Sequence, residues 1–395
     1  MSTASAGHAA STASASRLPI MTIFGTRPEA VKMAPVVARL KENADFVPIV
    51  VVTAQHREML DQVLRLFAIT PDRDLDIMLP EQSLFDITNR TLDRLNPVLA
   101  EYQPAMVLVQ GDASSTMLGA LAAFYHRIPV GHVEAGLRTH DKYQPFPEEM
   151  NRRLTSALAD LHFAPTALSK ANLLREGIPA DRILVTGNTV IDALLDIVGR
   201  PDVTLPPGLP SLDGRRMLLV TTHRRENWGE PLRQIYLALL DLLERFPDVM
   251  VVFSVHRNPA VRRVAEDILA GHPRAHLIEP PDYGPFVRLQ AHAYLILTDS
   301  GGVQEEAPAL GTPVLVLREV TERPEGVTAG TVEIVGTGRT RIAERAGRLL
   351  ADPVARAAMA QARNPYGDGH AAGRIVAALR HWFRRSPAPP AEFVP

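Results

Sequence analysis

Three stretches of the chain put carboxylates where acid–base chemistry becomes feasible. Residues 106–112 read MVLVQGD, residues 128–134 read IPVGHVE, and residues 147–153 read PEEMNRR. Asp112 and Glu134 close apolar runs, and Glu148 or Glu149 opens a helix. In an open parallel sheet, strand ends and helix starts face one crevice, and such sheets bind ligands there. Several carboxylates in one crevice point to proton transfer. Like charges close together push their pKa values apart, so one can serve as acid and another as base. Each residue also has a plainer reading. Asp112 after Gly111 fits a turn, and Glu148 and Glu149 fit the favourable end of a helix dipole. The positions argue for catalysis only as a set.

Other stretches carry anion-binding chemistry. Residues 25–32 (GTRPEAVK) form a strand-to-helix turn with two cations, Arg27 and Lys32. Free backbone N–H groups at the helix start would join them in holding an anion; the alternative is a Gly-Pro turn with solvated charges. Residues 298–306 (TDSGGVQEE) follow the apolar run AYLIL. Ser300 suits a helix cap, and Gly301 and Gly302 let a phosphate approach the backbone. A carboxylate on the first or second turn would then reach ribose hydroxyls. A capped helix with acidic first-turn residues is the competing explanation, and the glycine pair favours a nucleotide diphosphate. The stretch is neither a GxGxxG fingerprint nor a Walker A loop. His223, Arg224 and Arg225 follow MLLVTT directly and could neutralise a phosphate leaving group. A lone histidine there would read as structural; two adjacent arginines weigh against that. His256-Arg257-Asn258 repeats the position after the next strand. His132, His140 and His162 lie near the carboxylates, but no HExxH-like spacing is present and no metal is expected.

Such groups need a scaffold, and the pattern supplies one. Strand-like runs at 18–24, 46–53, 106–112, 128–134, 161–165 and 183–186 alternate with helical stretches at 28–40, 58–67, 84–101, 115–126, 148–160 and 168–176. Residues 68–82 and 137–147 read as loops. This alternation marks a parallel α/β sheet. A Pro/Gly-rich connection at 199–214 follows. The pattern then restarts with runs at 217–222, 249–255, 275–278, 293–298 and 313–317. Two tandem Rossmann-like α/β domains are expected, 18–188 and 189–372, with the break near 187–190. Residues 373–386 should form an amphipathic helix packing back on the first domain. Residues 387–395 should be a loose Pro-rich tail, and residues 1–17 a disordered Ser/Ala-rich extension.

Composition narrows the function classes. The chain has 395 residues, is 46% hydrophobic and 22% charged, and carries a formal net charge of -2. That is ordinary globular composition, without the basic field that nucleic-acid binding demands. It has no cysteine, which excludes disulfides and thiolate chemistry and fits a cytoplasmic location. No apolar run is long enough to span a bilayer, and the first residues lack the pattern of a secretory signal.

The motifs together resemble the non-hydrolysing UDP-N-acetylglucosamine 2-epimerases of bacteria. The matching stretches include FGTRPEAVKMAP, TAQHREMLDQVL, VQGD, GHVEAGLRT, FPEEMNRR, TGNTVIDAL, TTHRRENWG, SVHRNP, TDSGGVQEEAPALGTPVLVLRE and TERPE. They run in order from about residue 18 to about residue 336. The resemblance implies a glycosyltransferase-B-like fold with the site between the domains. It also implies a cofactor-free reaction feeding cell-surface polysaccharide synthesis: UDP leaves C1 as the C2 proton is removed, and both add back to 2-acetamidoglucal with C2 inverted. By resemblance Asp112, Glu134 and Glu148 are acid/base groups. His223, Arg27 and the Ser300-Gly301-Gly302 turn hold the diphosphate, Lys32 assists the sugar or phosphate end, Glu306 takes the ribose and Phe286 lies by the uracil. Gln55, His56, Arg57 and Arg224 would help bind a second, activating UDP-N-acetylglucosamine, and relatives are dimers. Thr222 departs from the glycine common at that place. Close relatives act on other UDP-sugars, such as diacetamido uronic acids, or hydrolyse the sugar nucleotide. A non-enzymatic sugar-nucleotide sensor would not need three acids beside a diphosphate.

Overall fold

The computed structural model describes residues 16–54, 57–79, 81–212 and 214–395. The expected N-terminal extension lies outside these residues up to its last two. The first half runs β1 (Leu18–Phe24), α1 (Arg27–Glu42), β2 (Phe46–Val52), α2 (Arg57–Leu66), β3 (Arg73–Asp74) and α3 (Leu84–Tyr102). It continues with β4 (Met106–Gln110), α4 (Ser114–Tyr125), β5 (Val130–Val133), α5 (Glu148–Leu158), β6 (Leu161–Ala164), α6 (Ala167–Arg175), β7 (Ile183–Val185) and α7 (Thr189–Gly199). The second half holds β8 (Arg216–Thr222), α8 (Glu230–Arg245), β9 (Val249–Val255), α9 (Pro259–Leu269), β10 (Ala275–Ile278), α10 (Tyr283–His292), β11 (Leu295–Thr298) and α11 (Gly301–Glu306). It ends with β12 (Val314–Val316), α12 (Pro324–Ala329), β13 (Val332–Ile334), α13 (Arg339–Ala351), α14 (Pro353–Ala360) and α15 (Ala371–Trp382).

The strands form two parallel sheets, ordered β3-β2-β1-β4-β5-β6-β7 and β10-β9-β8-β11-β12-β13. Strands covered on both faces must be apolar throughout, and all five residues of β4 and all seven of β9 are buried. Each sheet reverses its winding once, between β1 and β4 and between β8 and β11. A crevice opens at such a switch point, outside the carboxyl ends of the strands. The loops leaving those four strands begin at Gly25, Gly111, His223 and Asp299, so the topology puts the motif residues at the two switch points.

The sequence reading missed β3 and β13. Strand β3 is two exposed charged residues, Arg73 and Asp74, recruited by pairing with β2. Strand β13 is a half-buried Val-Glu-Ile beside β12. Neither offers an apolar run. Helix α7 serves both halves: Val190 and Ile191 share a core with Ile20 and Leu40, whereas Leu194 and Ile197 meet Val203 and Val287. Ile375 and Leu379 of α15 are fully buried in the first of these cores. Burying each such side chain is worth about 1.5–3 kcal/mol, which docks the helix on α1. The tail corrects the expectation of a loose end. Phe393 is buried and its N–H donates to the Val185 carbonyl at 2.8 Å, while Glu392 pairs with Lys170. An aromatic anchor and an edge strand with a free carbonyl hold down a segment that its prolines made look unstructured.

Candidate active site

The turn after β1 differs from the anion cradle expected of it. Glu29, itself buried, accepts hydrogen bonds from the Gly25 and Thr26 N–H groups at 3.0 and 2.8 Å. Its other oxygen accepts from the Ser115 and Thr116 hydroxyls at 2.8 and 3.0 Å. Burial pushes the Glu29 pKa up against those hydrogen bonds. The backbone donors are therefore already occupied by the protein's own carboxylate. Arg27 is exposed and forms no ion pair among the described residues, so it is the group of this turn left to meet an anion.

Lys32 is occupied too. Its ammonium lies 2.6 and 2.7 Å from the two oxygens of Glu134. Glu134 also accepts from the Gln110 side chain and, at 3.0 Å, from the amide of Asn188. Burial works to raise the Glu134 pKa, but Lys32 and Arg323 outweigh it and hold the carboxyl below its ordinary range. The Glu134 backbone sits at φ 62°, a left-handed conformation that costs a residue with a Cβ about 1–2 kcal/mol. Three donor groups, making four hydrogen bonds, fix the side chain that this strained turn presents. Gly136, two residues on, has φ 93°, and a Cβ there would lie 2.3 Å from the Ser169 carbonyl. The HVEAGL motif is thus locked against α6.

The remaining carboxylates divide by environment. Asp112 meets Arg152 at 2.5 Å and remains one-third exposed. Glu149 is fully buried and accepts from the Thr139 and His140 N–H groups, Arg152 and Arg153. These contacts lower its pKa although burial acts to raise it. Glu149 anchors the 137–147 loop. Its neighbour Glu148 has a buried Oε2 with no hydrogen-bond partner among the described residues. Of the histidines, His132 is buried, donates from Nε2 to the Gly111 carbonyl at 2.8 Å, and has its pKa lowered by burial to about 3. His162 bonds the Ser156 carbonyl. Both are packing groups. No cluster of three or more His, Asp or Glu suited to a metal occurs among the described residues.

Across the crevice, Asp299 organises the turn after β8. This fully buried carboxylate accepts from the backbone N–H groups of His223 and Arg224 and from the Asn227 amide, each at 3.0 Å. It also meets His223 Nδ1 at 3.0 Å. That contact fixes the ring at the wall of the crevice, where an N–H donor suits a departing phosphate. The Thr222 hydroxyl lies 2.8 Å from that of buried Tyr236, so its departure from glycine has a structural partner. Ser300 is the N-cap of α11, but its hydroxyl makes no capping bond. A cavity of about 360 Å³ joins Arg27 of the first half to His223, His256, Phe286 and Ser300 of the second. Glu306 accepts from Gln290 at 2.7 Å, and burial, with Glu305 adjacent, pushes its pKa up to about 7.

A family model described as UDP-N-acetylglucosamine 2-epimerase matches residues 38–380. The chain is 55% identical to a Yersinia pestis UDP-N-acetylglucosamine 2-epimerase over 371 residues, covering 92% of this chain and 99% of the relative. It belongs to the UDP-N-acetylglucosamine 2-epimerase family. Among solved structures it superposes on the Neisseria meningitidis epimerase bound to UDP-GlcNAc with a TM-score of 0.82 and 49% identity, over 92% of this chain and 100% of that one. The Staphylococcus aureus MnaA–UDP structure gives 0.83 and 48%, over 95% and 100%. The two sheets are those of the glycosyltransferase-B-like epimerase fold.

Within this epimerase frame the expected second-ligand residues fare unequally. Gln55 and His56 lie outside the described residues. Arg57 is tied to Asp74 and Asp76, which hold its pKa up. Arg224 keeps a buried Nε without a hydrogen-bond partner among the described residues. Several supporting residues escaped the sequence reading: Glu29, Gln110, Asn188, Asp299, Glu305 and Arg323. Asp299 and Glu305 stand inside a motif that was read for its serine and glycines. Gln110, Asn188 and Arg323 bond partners in other elements, which no local spacing reveals, and Glu29 bonds the neighbouring Gly25 and Thr26 N–H groups as well as distant Ser115 and Thr116.

Proposed function

We propose that this chain interconverts UDP-N-acetylglucosamine and UDP-N-acetylmannosamine by eliminating and re-adding UDP. The observation that carries the reading is the division of the carboxylates, with Glu134 held charged, Glu149 committed to a loop, and Glu148 left with a free buried oxygen. The sugar C2–H is a weak acid. Removing its proton therefore requires a placed base, and expelling UDP requires charge stabilisation. Asp112, Glu134 and Glu148 are the acid/base groups. Arg27, His223 and the Ser300–Gly302 turn take the diphosphate. Phe286 lies by the uracil and Glu306 by the ribose. Lys32 acts chiefly by keeping Glu134 ionised. Relatives solved with UDP-GlcNAc and with UDP support this ligand class. Incubation with UDP-N-acetylglucosamine should yield both isomers by chromatography; free N-acetylmannosamine as the main product would assign a hydrolysing reaction instead.

A second UDP-N-acetylglucosamine, held by Arg57 from one domain and Arg224 from the other, would favour the closed cleft because it binds one state better. Reactions started with the manno isomer alone should then show a lag that a trace of the gluco isomer removes. Arg57→Ala should lengthen this lag more than it raises KM. Hyperbolic kinetics without lag, unchanged in the variant, would rule this regulation out. The chain acts as a homodimer in solution, a reading supported by Phe124 and Tyr125, 56% and 69% exposed at the end of α4; a sedimentation mass of one chain would exclude it. No described helix is long and apolar enough to cross a membrane.

A further inference from the structure

Asn188 stands where the chain passes from the first sheet to the second, and it is 3% exposed. Its amide Nδ2 donates at 3.0 Å to Glu134 Oε1 and at 2.8 Å to Glu305 Oε2. Its Oδ1 accepts from the Val190 N–H at 3.1 Å and so caps α7. Its own N–H donates to the Tyr366 carbonyl at 2.6 Å. Every polar atom of the side chain is thus committed. Glu134 belongs to the turn after β5, and Glu305 belongs to α11 in the other half. Glu305 is pinned by Arg323 at 2.6 Å. Two buried carboxylates from opposite sheets therefore share one neutral double donor, and the cations Lys32 and Arg323 flank them.

We infer that Asn188 is a positioning residue for the elimination, holding the Glu134 carboxylate in register with Glu305 of the opposite domain. The chemistry requires an amide here. A third carboxylate would repel both neighbours, and an ammonium would add a charge to a site already balanced by two cations. The bridge couples domain arrangement to catalysis, because a rotation that separates Glu305 from Glu134 breaks one of the two hydrogen bonds that Asn188 donates. This inference rests on the epimerase reading above.

The cap and the bridge can be separated, because serine caps a helix about as well as asparagine but has no amide to donate twice. Asn188→Ser should keep the melting temperature and KM close to wild type and lower kcat by about 10- to 100-fold, the scale of losing a hydrogen bond to a charged group. The acid limb of its kcat profile should move to higher pH. The groups facing Glu134 are then Lys32, Arg323, Gln110 and Glu305, and one donor has gone. Asn188→Asp keeps shape and cap; it should be slower than the serine variant at neutral pH and recover partly on acidification, when the new carboxyl regains a proton to donate. Should the serine variant fold poorly, the aspartate profile decides alone. Wild-type kcat with an unmoved profile in either folded variant would overturn the inference. An inert wild-type enzyme would instead refute the epimerase reading.

Discussion

Glu148→Gln is expected to lower turnover by about 10²–10⁴-fold, the usual range for a general acid–base group, with little change in melting temperature. Its Oε2 is buried and unpartnered among the described residues, so the protein invests no hydrogen bond in that oxygen and loses none when it becomes an amide. Glu149→Gln should behave in the opposite way. The Glu149 carboxylate receives two backbone N–H groups and two arginines. Neutralising it should cost about 1.5–3 kcal/mol of stability for each charged hydrogen bond weakened. Activity should fall less steeply, through Arg152, which also holds Asp112. Thermal melts and kcat on the two variants check this division. A stable, inactive Glu149→Gln beside an active Glu148→Gln would mean that the neighbouring glutamate is the catalytic one.

Glu134→Gln should lose both activity and stability, and the stability loss should depend on pH. Breaking one side of a buried ion pair costs about 3–5 kcal/mol, although Glu305 near Lys32 will soften that here. The folded Glu134 pKa lies below its ordinary 4.5, burial acting upward and Lys32 and Arg323 prevailing. Its contribution is therefore fully present above pH 4.5 and disappears as pH falls through the lower folded value. Lys32 is opposite in sign. Burial alone would lower its pKa, but Glu134 and Glu305 raise it above 10.5. Its contribution is complete below pH 10.5 and is lost as pH rises through the folded value. Urea unfolding should show a gap between wild type and Glu134→Gln that is constant near neutrality and narrows below pH 4.5. A gap independent of pH would contradict the ion-pair role.

The scaffold was legible because parallel strands buried on both faces are near-continuous apolar runs, and β4 and β9 announce themselves this way. Residues at the carboxyl ends of such runs fall at the switch points or beside them without further information, which is why Asp112, Glu134, His223 and Ser300 could be nominated. What each one bonds was not legible. Glu29 takes the Gly25 and Thr26 N–H groups from the expected anion site, and Ser115, which helps to hold it there, is 86 positions away and meets it only after folding. Lys32 was read as a free cation because Glu134 lies 102 positions away. Phe393 anchors the tail through an aromatic contact and one backbone hydrogen bond, a signal too small to outweigh four surrounding prolines.

The proton at C2 tests the elimination most directly. UDP-N-acetylglucosamine should be incubated with the enzyme in deuterated water until the isomers equilibrate, and the C2 position followed by NMR. Deuterium at C2 of both isomers is the expected result, because a base that removes the proton exchanges it with solvent before re-addition. Epimerisation with full retention of the original C2 hydrogen would contradict it.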